Sequence, residues 1–343
     1  MANINDIARK AGVSKTTVSR VLNDYKDVSE ETKQKVIKVM KSNNYRPSTL
    51  ARSLATNKTY TIGLFGAPNP NTLYSGRVHL NDSFFREVIY GMEVTLGKKG
   101  YDIMYFSERS EKKLLSYKNI AADRHVDGVV FLGNMEKTSE IDEMLESDIP
   151  TVFVDSPISG SKAAYVHSDN DLGGQLVGEY LVNMGHKRIG FIMPKTDRYP
   201  ANKRLKGFAD KLEEYNYKFS PEWVVEARYT KQSGYQAMKS IMNSSLDITA
   251  VFCQDEIAVG AIKAIKEAGY SLPEDFSIVG FDDLQISEFI FPALTTVRQF
   301  KFEMGKAAAE SLLKIINEDE DYFPSPVKLP VELIERDSCK KIN

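Results

Sequence analysis

The chain is poor in the residues that most often carry catalysis or metals: its 343 residues include two cysteines, four histidines and one tryptophan. Cys253 and Cys339 lie far apart, and neither has a second cysteine or a histidine at metal-ligand spacing. The histidines show no H-x-x-x-H spacing, and no G-x-S-x-G motif occurs. We therefore expect reduced thiols, no metal site, no cofactor and no enzymatic activity.

Long apolar runs are also missing. No stretch of about 18 apolar residues exists, and Asp6, Arg9 and Lys10 occur before any apolar segment that a signal peptide would need. Neither a G-x-G-x-x-G loop nor a G-x-x-x-x-G-K-[ST] loop is present, so a dinucleotide or nucleotide phosphate site is not indicated. These absences predict a cytoplasmic protein with no membrane partner.

The net charge of −2 conceals an uneven distribution. Residues 1–58 hold 12 Lys+Arg and 5 Asp+Glu, a net of +7, so the remaining 285 residues hold 33 and 42, a net of −9. A basic N-terminal segment on an acidic body predicts an anionic partner for that segment alone.

The basic segment has the pattern of three short helices. Asn3 with Asp6 predicts a capping pair for the first helix, Gly12 a helix end, and Ser14 and Ser29 the caps of the second and third helices. Apolar residues at helical spacing are expected to face a small core: Ile4, Ile7, Ala8, Ala11, Val18, Val21, Leu22, Val36, Ile37, Val39 and Met40.

The second of these helices, within "AGVSKTTVSRVLN" (11–23), carries donors and positive charge on its outer face and no acid. Helix, glycine turn and helix form a helix-turn-helix pattern, in which the second helix enters the DNA major groove. Arg20 suits bidentate binding of guanine, and Lys15 and Thr16 are placed to reach neighbouring bases. The alternative is an ordinary solvated helix face.

From residue 60 onward, short strands rich in Val, Ile and Phe alternate with amphipathic helices. This alternation is typical of a parallel α/β protein, and its length predicts two doubly wound parallel-sheet subdomains with a ligand crevice at the carboxyl ends of the strands. The predicted strands are "YTIGLF", "YDIMYF", "DGVVFL", "PTVFVD", "RIGFIM", "AVFC" and "FSIVGFDD". The predicted helices span 85–98, 171–184, 203–214, 231–243 and 256–268.

The run from "NINDIARKAGVSKTTVSRVLN" to "STLARSLATNKTYTIGL" resembles the headpiece and hinge of the lactose/galactose repressor family, and "GHKRIGFI", "GYSLPEDFSIVGFDD" and "PALTTVRQ" resemble the core of that family. The resemblance implies a sequence-specific regulator, usually a repressor, which binds a palindromic DNA operator as a homodimer under control of a small-molecule effector. The fold it implies is a small all-α helix-turn-helix domain on a periplasmic-binding-protein-like core. The predicted boundaries are a headpiece at 1–47, a hinge at 48–59, a core at 60–337 and a tail at 338–343, with an N-subdomain at 60–161 and 292–320 and a C-subdomain at 162–291 and 321–337.

The resemblance also assigns residues to DNA. Lys15, Thr16 and Arg20 are implied to read bases, and Ala51 and Leu54 to enter the minor groove from the hinge, where an apolar wedge kinks a flexible step. The residues implied to contact phosphates are Asn3, Asn5, Ser14, Thr17, Ser19, Asn23, Ser29, Thr32 and Tyr45.

For the effector, the resemblance implies polar contacts from Arg204, Gln254, Asp255, Asp282 and Gln299, and aromatic contacts from Phe84, Phe85 and Tyr229. A sugar or sugar derivative is the expected ligand, with a purine or another small metabolite as the alternative. These residues also have ordinary structural interpretations. One of the two phenylalanines is expected in the core, Asp282 is alternatively a cap for the following segment, and Arg204 is alternatively part of a surface ion pair. Trp223 is expected to pack at the edge of a strand.

Two departures from the family pattern concern the crevice. "CQDE" replaces the usual Asn-Asp pair, so Gln254 need not take the place of the asparagine, and the 66–83 loop is extended by about ten residues relative to the family pattern. Two other interpretations compete with a repressor. One is a transcriptional activator, and the other is a sugar-binding protein or an enzyme without DNA function. The C-terminal sequence has no heptad repeat, which favours a dimer over a coiled-coil tetramer.

Overall fold

The computed structural model describes residues 3–22, 25, 27–43, 45, 58–66, 83–106, 116–133, 135, 137–194, 199–217, 219–318 and 322–342. The chain divides into two compact units, Met1–Tyr60 and Thr61–Asn343. The core unit therefore begins one residue after the predicted start at 60.

The N-terminal unit contains the three predicted helices, α1 (Ile4–Ala11), α2 (Lys15–Leu22) and α3 (Glu30–Ser42). Asn3 and Asp6 form the predicted capping box, and Gly12 ends α1 in the left-handed region at φ 62°. The core of this unit forms around Ile7, Ala8, Ala11, Val18, Val21 and Val36. The inward orientation predicted for Ile37 is wrong, because 37% of its surface is exposed.

The first subdomain of the second unit is built on a six-stranded sheet with the order β11-β5-β4-β3-β1-β2. All the pairings among its described strands are parallel. Its strands are β1 (Thr61–Gly66), β2 (Asp102–Tyr105), β3 (Gly128–Leu132), β4 (Thr151–Val154), β5 (Ala163–Ser168) and β11 (Val327–Leu329); its helices are α4 (Ser83–Gly97), α5 (Tyr117–Asp123), α6 (Ser139–Leu145) and α12 (Lys301–Ile316).

The second subdomain repeats this plan with the order β12-β10-β9-β8-β6-β7, in which β12 alone among these strands runs antiparallel to its neighbour. Its strands are β6 (Ile189–Met193), β7 (Val224–Glu226), β8 (Ala250–Cys253), β9 (Ser277–Asp282), β10 (Thr295–Gln299) and β12 (Val331–Ile334). Its helices are α7 (Asn170–Asn183), α8 (Tyr199–Glu214), α9 (Lys231–Met242), α10 (Asp255–Glu267) and α11 (Ile286–Phe289), with one 3-10 turn at Pro221–Trp223.

The predicted two-sheet α/β class is confirmed, but the predicted subdomain boundaries are wrong. The chain crosses between the sheets after β5 at residue 169, after β10 at residue 300 and after β11 at residue 330, not at 161, 291 and 320. The reason is that the sequences of β5, β10 and β11 carry no signal that assigns them to one sheet or the other. Pairing with particular strands, which the sequence does not display, decides their membership.

The predicted C-terminal tail is also wrong in its described part, because residues 338–342 pack on the second subdomain. Ser338 is fully buried, its Oγ donates to the carbonyl of Ile278 at 2.5 Å, and its own carbonyl accepts from the Ile278 N–H at 2.9 Å. The Ile342 N–H donates to the carbonyl of Met184 at 2.8 Å. Through the described part of the chain, no helix has both the length and the apolar character needed to cross a membrane.

Candidate DNA-binding face and effector crevice

The outer face of α2 is held in place from its inner side. Val18 is fully buried and Val21 nearly so, whereas Lys15, Thr16 and Arg20 are exposed. Because residues on one helical face recur every three or four positions, burial of the valines forces the three polar side chains outward. The structure thus brings together the three residues predicted to read bases.

An acid lies on this face, although the sequence pattern indicated none. Asp27, between α2 and α3, pairs with Arg20 at 2.9 Å between Oδ2 and Nη1. The prediction rested on the residues of α2 alone, whereas Asp27, seven residues further along the chain, lies beside Arg20. The prediction of a face without acids is therefore wrong, because Arg20 on this face is paired with Asp27.

Several predicted phosphate contacts are helix caps. The Asn3 Oδ1 accepts from the backbone N–H groups of Asn5 and Asp6, at 2.9 and 3.0 Å. Ser14 Oγ accepts from the N–H of Thr17 at 3.0 Å, and Ser29 Oγ accepts from that of Thr32 at 3.3 Å. A capping side chain fixes a helix N-terminus, and helix N-termini attract phosphate, so capping and phosphate binding are compatible here.

The other predicted DNA contacts have varied positions. Asn5 is exposed and Ser19 half-buried, while Tyr45 is a partly buried neighbour of the headpiece core whose pKa is raised by burial. The remaining three predictions, Asn23, Ala51 and Leu54, lie outside the described residues.

In the core unit, Arg204 forms the floor of a crevice at the carboxyl ends of the strands. Its guanidinium lies 3.7 Å from the ring centroid of Phe281, and its Nε donates to Oδ1 of Asn170 at 2.7 Å. The Arg204 Nη2 lies 3.9 Å from Asp282 Oδ1, and both side chains are more than nine-tenths buried. The alternative of a surface ion pair is therefore wrong for Arg204. Arg204 also lines a small cavity, together with Met193 and Gln254.

Asp282 is held in an unusual backbone conformation, with φ 118°. The next residue, Asp283, accepts hydrogen bonds from Arg298 Nε at 2.7 Å and from Arg336 Nη2 at 2.8 Å. Burial alone would raise the pKa of Asp283, but these hydrogen bonds outweigh it and hold the pKa below its ordinary value. The anchored Asp283 fixes the strained residue before it, and strained backbone of this kind is typical of ligand sites.

Two glutamines complete the polar floor. Gln299 Nε2 donates to Asp282 Oδ1 at 2.6 Å, and Gln254 Nε2 lies 3.3 Å from Asp282 Oδ2. The Oε1 atoms of both glutamines are buried and have no hydrogen-bond partner among the described residues. Buried acceptors without partners are costly, and a ligand that donates to them would remove that cost.

A third such acceptor belongs to Asp155, which the sequence analysis missed. Asp155 follows β4 in the first subdomain with φ 61°, is nearly buried, and its Oδ1 has no partner among the described residues. Burial raises the pKa of Asp155 to about 7; Arg204 lowers it and Asp282 raises it further. Both of these residues belong to the second subdomain, whereas Asp155 follows a strand of the first. The available signal was its position after the apolar run "PTVFV", at the carboxyl end of a strand.

The side chain of Asp255, at the start of α10, is engaged within the second subdomain. It is fully buried, its Oδ2 accepts from the Leu284 N–H at 2.7 Å and from Ser287 Oγ at 2.8 Å, and its Oδ1 accepts from Thr296 Oγ1 at 2.6 Å. Burial and then the charge of Asp282 raise the pKa of Asp255. Because its oxygens are engaged within the subdomain, we assign Asp255 to support of the Asp282 segment rather than to the effector.

The aromatic candidates come from separate elements. Phe84 is buried and Phe85 half-buried in the first turn of α4, with ring centroids 5.1 Å apart. Tyr229, after β7, is 40% exposed. Trp223 packs against the core of the second subdomain as expected, with Phe219 at 6.0 Å between ring centroids.

Residues 3–48 match the model for bacterial regulatory proteins of the lacI family, and residues 179–339 match a periplasmic binding protein-like domain. The HTH-type transcriptional repressor PurR of Mannheimia succiniciproducens is 34% identical, with all of both chains covered. The ribose operon repressor of Haemophilus influenzae is 35% identical over 94% of each chain.

Among solved structures, the lac repressor dimer bound to operator and the anti-inducer ONPF is 26% identical over 99% of each chain, with a TM-score of 0.81. The two chains therefore share their fold over nearly their whole length. The two relatives of this chain named above are repressors, not enzymes. The chain belongs to the LacI family of bacterial regulatory proteins, and it is a DNA-binding repressor of that family.

Proposed function

We propose that this repressor binds a palindromic operator as a homodimer in the bacterial cytoplasm, where the operator is part of the nucleoid. Lys15, Thr16 and Arg20 read bases in the major groove, and Ala51 and Leu54 insert from the hinge into the minor groove. A sugar or sugar derivative in the core crevice changes the affinity for the operator.

The observation that carries the DNA part is the exposed face of α2. Its three outward side chains present N–H and O–H donors, which match the acceptors O6 and N7 of guanine in the major groove. The net charge of +7 on residues 1–58 supplies the attraction to phosphates that this geometry needs.

The effector part is supported by the acceptors of the crevice. The unpartnered oxygens of Asp155, Gln254 and Gln299 can accept hydrogen bonds from a ligand. The guanidinium of Arg204 can donate hydrogen bonds to a ligand acceptor. A hydroxyl group donates and accepts, so a polyhydroxyl ligand suits this mixture. The ribose operon repressor among the relatives supports the same ligand class. A purine is the alternative class.

The homodimer is supported by an exposed apolar surface on the second subdomain. Phe289 and Phe291, two positions apart, are 74% and 81% exposed, and Ile286 in the same segment is 37% exposed. Exposed aromatic side chains clustered in this way are typical of protein interfaces.

Selection of duplexes from a random DNA pool by the full-length protein, at about 0.15 M salt, tests the DNA part of the proposal. We expect enrichment of an inverted repeat with a flexible central step. The Arg20→Ala variant should lose the preference at one base position in each half-site. Enrichment of a single unrepeated half-site would contradict the homodimer, and the same motif from Arg20→Ala would contradict base reading by Arg20.

A further inference from the structure

We infer that Asp27 is a positioning residue that holds Arg20 for base reading and keeps it away from the phosphate backbone. This inference rests on the proposed base-reading role of Arg20. It adds a specificity-determining residue that lies outside the recognition helix.

The pair joins two anchored points of the backbone. Arg20 lies between Val18 and Val21, which are buried in the headpiece core. Asp27 precedes Val28, which packs against that core, and Ser29, which caps α3. With both backbones fixed, the ion pair at 2.9 Å selects one direction for the arginine side chain.

The donors of the guanidinium allow it to hold Asp27 and a base together. An arginine has five N–H donors, and the described contact with Asp27 uses Nη1. Among the described residues no contact uses the N–H groups on Nε and Nη2, which suit the two acceptors on the edge of a guanine. A carboxylate that orients an arginine therefore does not compete with base binding.

The negative charge of Asp27 disfavours contacts between this part of the headpiece and DNA phosphates. At 54% side-chain exposure, its carboxylate repels the DNA backbone, and an arginine paired with it gains less from moving to a phosphate. Phosphate contacts carry no sequence information, whereas base contacts do. Asp27 thus lowers affinity for all DNA and raises the discrimination between sites.

The ion pair itself contributes little to folding, because a pair of half-exposed side chains is screened by solvent. Removal of Asp27 is therefore expected to leave the headpiece folded, which circular dichroism of the full-length protein checks. The effect should appear in DNA recognition alone.

The test is selection from a random duplex pool with full-length wild type and Asp27→Ala, followed by binding to the selected site and to an unrelated duplex over a range of salt. In Asp27→Ala, the base preference at the position read by Arg20 should fall by at least about 5-fold. Affinity for the unrelated duplex should rise, and its log–log salt slope should steepen by about 1, because Arg20 becomes free to bind a phosphate.

Glu31→Gln is the matched control, since it removes one negative charge from the exposed surface of the same domain without contact to Arg20 among the described bonds. It should raise affinity for both duplexes and leave the base preference unchanged. In an Arg20→Ala background, Asp27→Ala should change the selected motif no further.

The inference is overturned if Asp27→Ala keeps the wild-type base preference, if Glu31→Gln alters it equally, or if Asp27→Ala changes the motif to the same extent without Arg20. A wild-type motif selected by Arg20→Ala alone marks a different failure, that of base reading by Arg20, and it removes this inference as well.

Discussion

At the scale of single residues, the titration of Asp155 has a measurable consequence. Burial raises the pKa of this carboxyl from 3.8 to about 7, so between these values the folded chain holds a proton that the unfolded chain has released. The stability contributed by this proton is present at low pH and is lost as pH rises towards 7. At higher pH the charged carboxylate destabilises the fold.

Asp155→Asn should remove this dependence. We expect equal stability of wild type and variant near pH 4, and a variant more stable by about 4 kcal/mol at pH 8, because a pKa difference of about 3 units is worth about 1.4 kcal/mol per unit. Urea unfolding of the two proteins at both pH values measures the difference. A gap that is constant with pH would contradict the raised pKa of Asp155.

The residues that sequence reasoning found and missed differ in one respect. The predicted residues belong to recognisable motifs, which the periodicity or the family pattern identifies. They are Lys15, Thr16, Arg20, Arg204 and Asp282. Asp27 acts on Arg20, which lies seven residues earlier in helix α2, and Asp155 is influenced by residues of the other subdomain. Only the fold brings such partners together.

At the scale of secondary-structure elements, the close packing of α7 on α8 positions Arg204. A Cβ atom added at Gly174 would lie 2.1 Å from the carbonyl oxygen of Arg204 and 2.8 Å from the Phe208 nitrogen. Because both are backbone atoms, relief requires α8 to move away from α7, and Arg204 moves with it.

Gly174→Ala should therefore destabilise the core unit by about 2 kcal/mol, a cost typical of overpacking. Thermal or urea unfolding measures this cost. Gly97→Ala is the matched control, because an added Cβ there meets no heavy atom within 4 Å and the position ends α4. It should be neutral or slightly stabilising. Equal effects of the two alanines would contradict the packing argument.

The cap of α1 gives a second prediction at this scale. Asn3→Ala removes the acceptor of two backbone N–H groups and should cost α1 about 1 kcal/mol, seen as faster amide hydrogen exchange across Ile4–Ala11. Asn5→Ala removes the same side-chain amide from a position outside the capping box, so α1 exchange should stay as in wild type. Slow exchange retained in Asn3→Ala would show that tertiary packing alone holds the helix.

The elements were largely predictable and their sheet membership was not. Seven apolar runs became strands and five amphipathic stretches became helices, because local periodicity reports local structure. "AAYVHS" and "TTVRQ", which became β5 and β10, lack a local signal for one sheet or the other. Their places depend on which strands they pair with, so the crossovers at 169, 300 and 330 followed only from the structure.

At the scale of the whole molecule, the exposed phenylalanines of the second subdomain predict a change in assembly. The double variant Phe289→Ser, Phe291→Ser should shift the proposed dimer towards monomer, because burial of two aromatic side chains is lost, at about 2 kcal/mol each. Sedimentation equilibrium measures the dissociation constant. Phe323→Ser, at a position 80% exposed on the first subdomain, is the control and should remain dimeric. Equal dissociation in both variants would contradict an interface at Phe289 and Phe291.

The central claim is that a ligand in the crevice controls binding of DNA. Its most direct test is the affinity of the full-length protein for its selected operator at about 0.15 M salt, with and without saturating sugars, guanine or hypoxanthine. We predict that at least one sugar changes this affinity by about 5- to 150-fold. The Arg204→Ala variant should keep the ligand-free affinity and lose that change. Operator affinity that no ligand alters, or a response that persists in Arg204→Ala, would contradict the account.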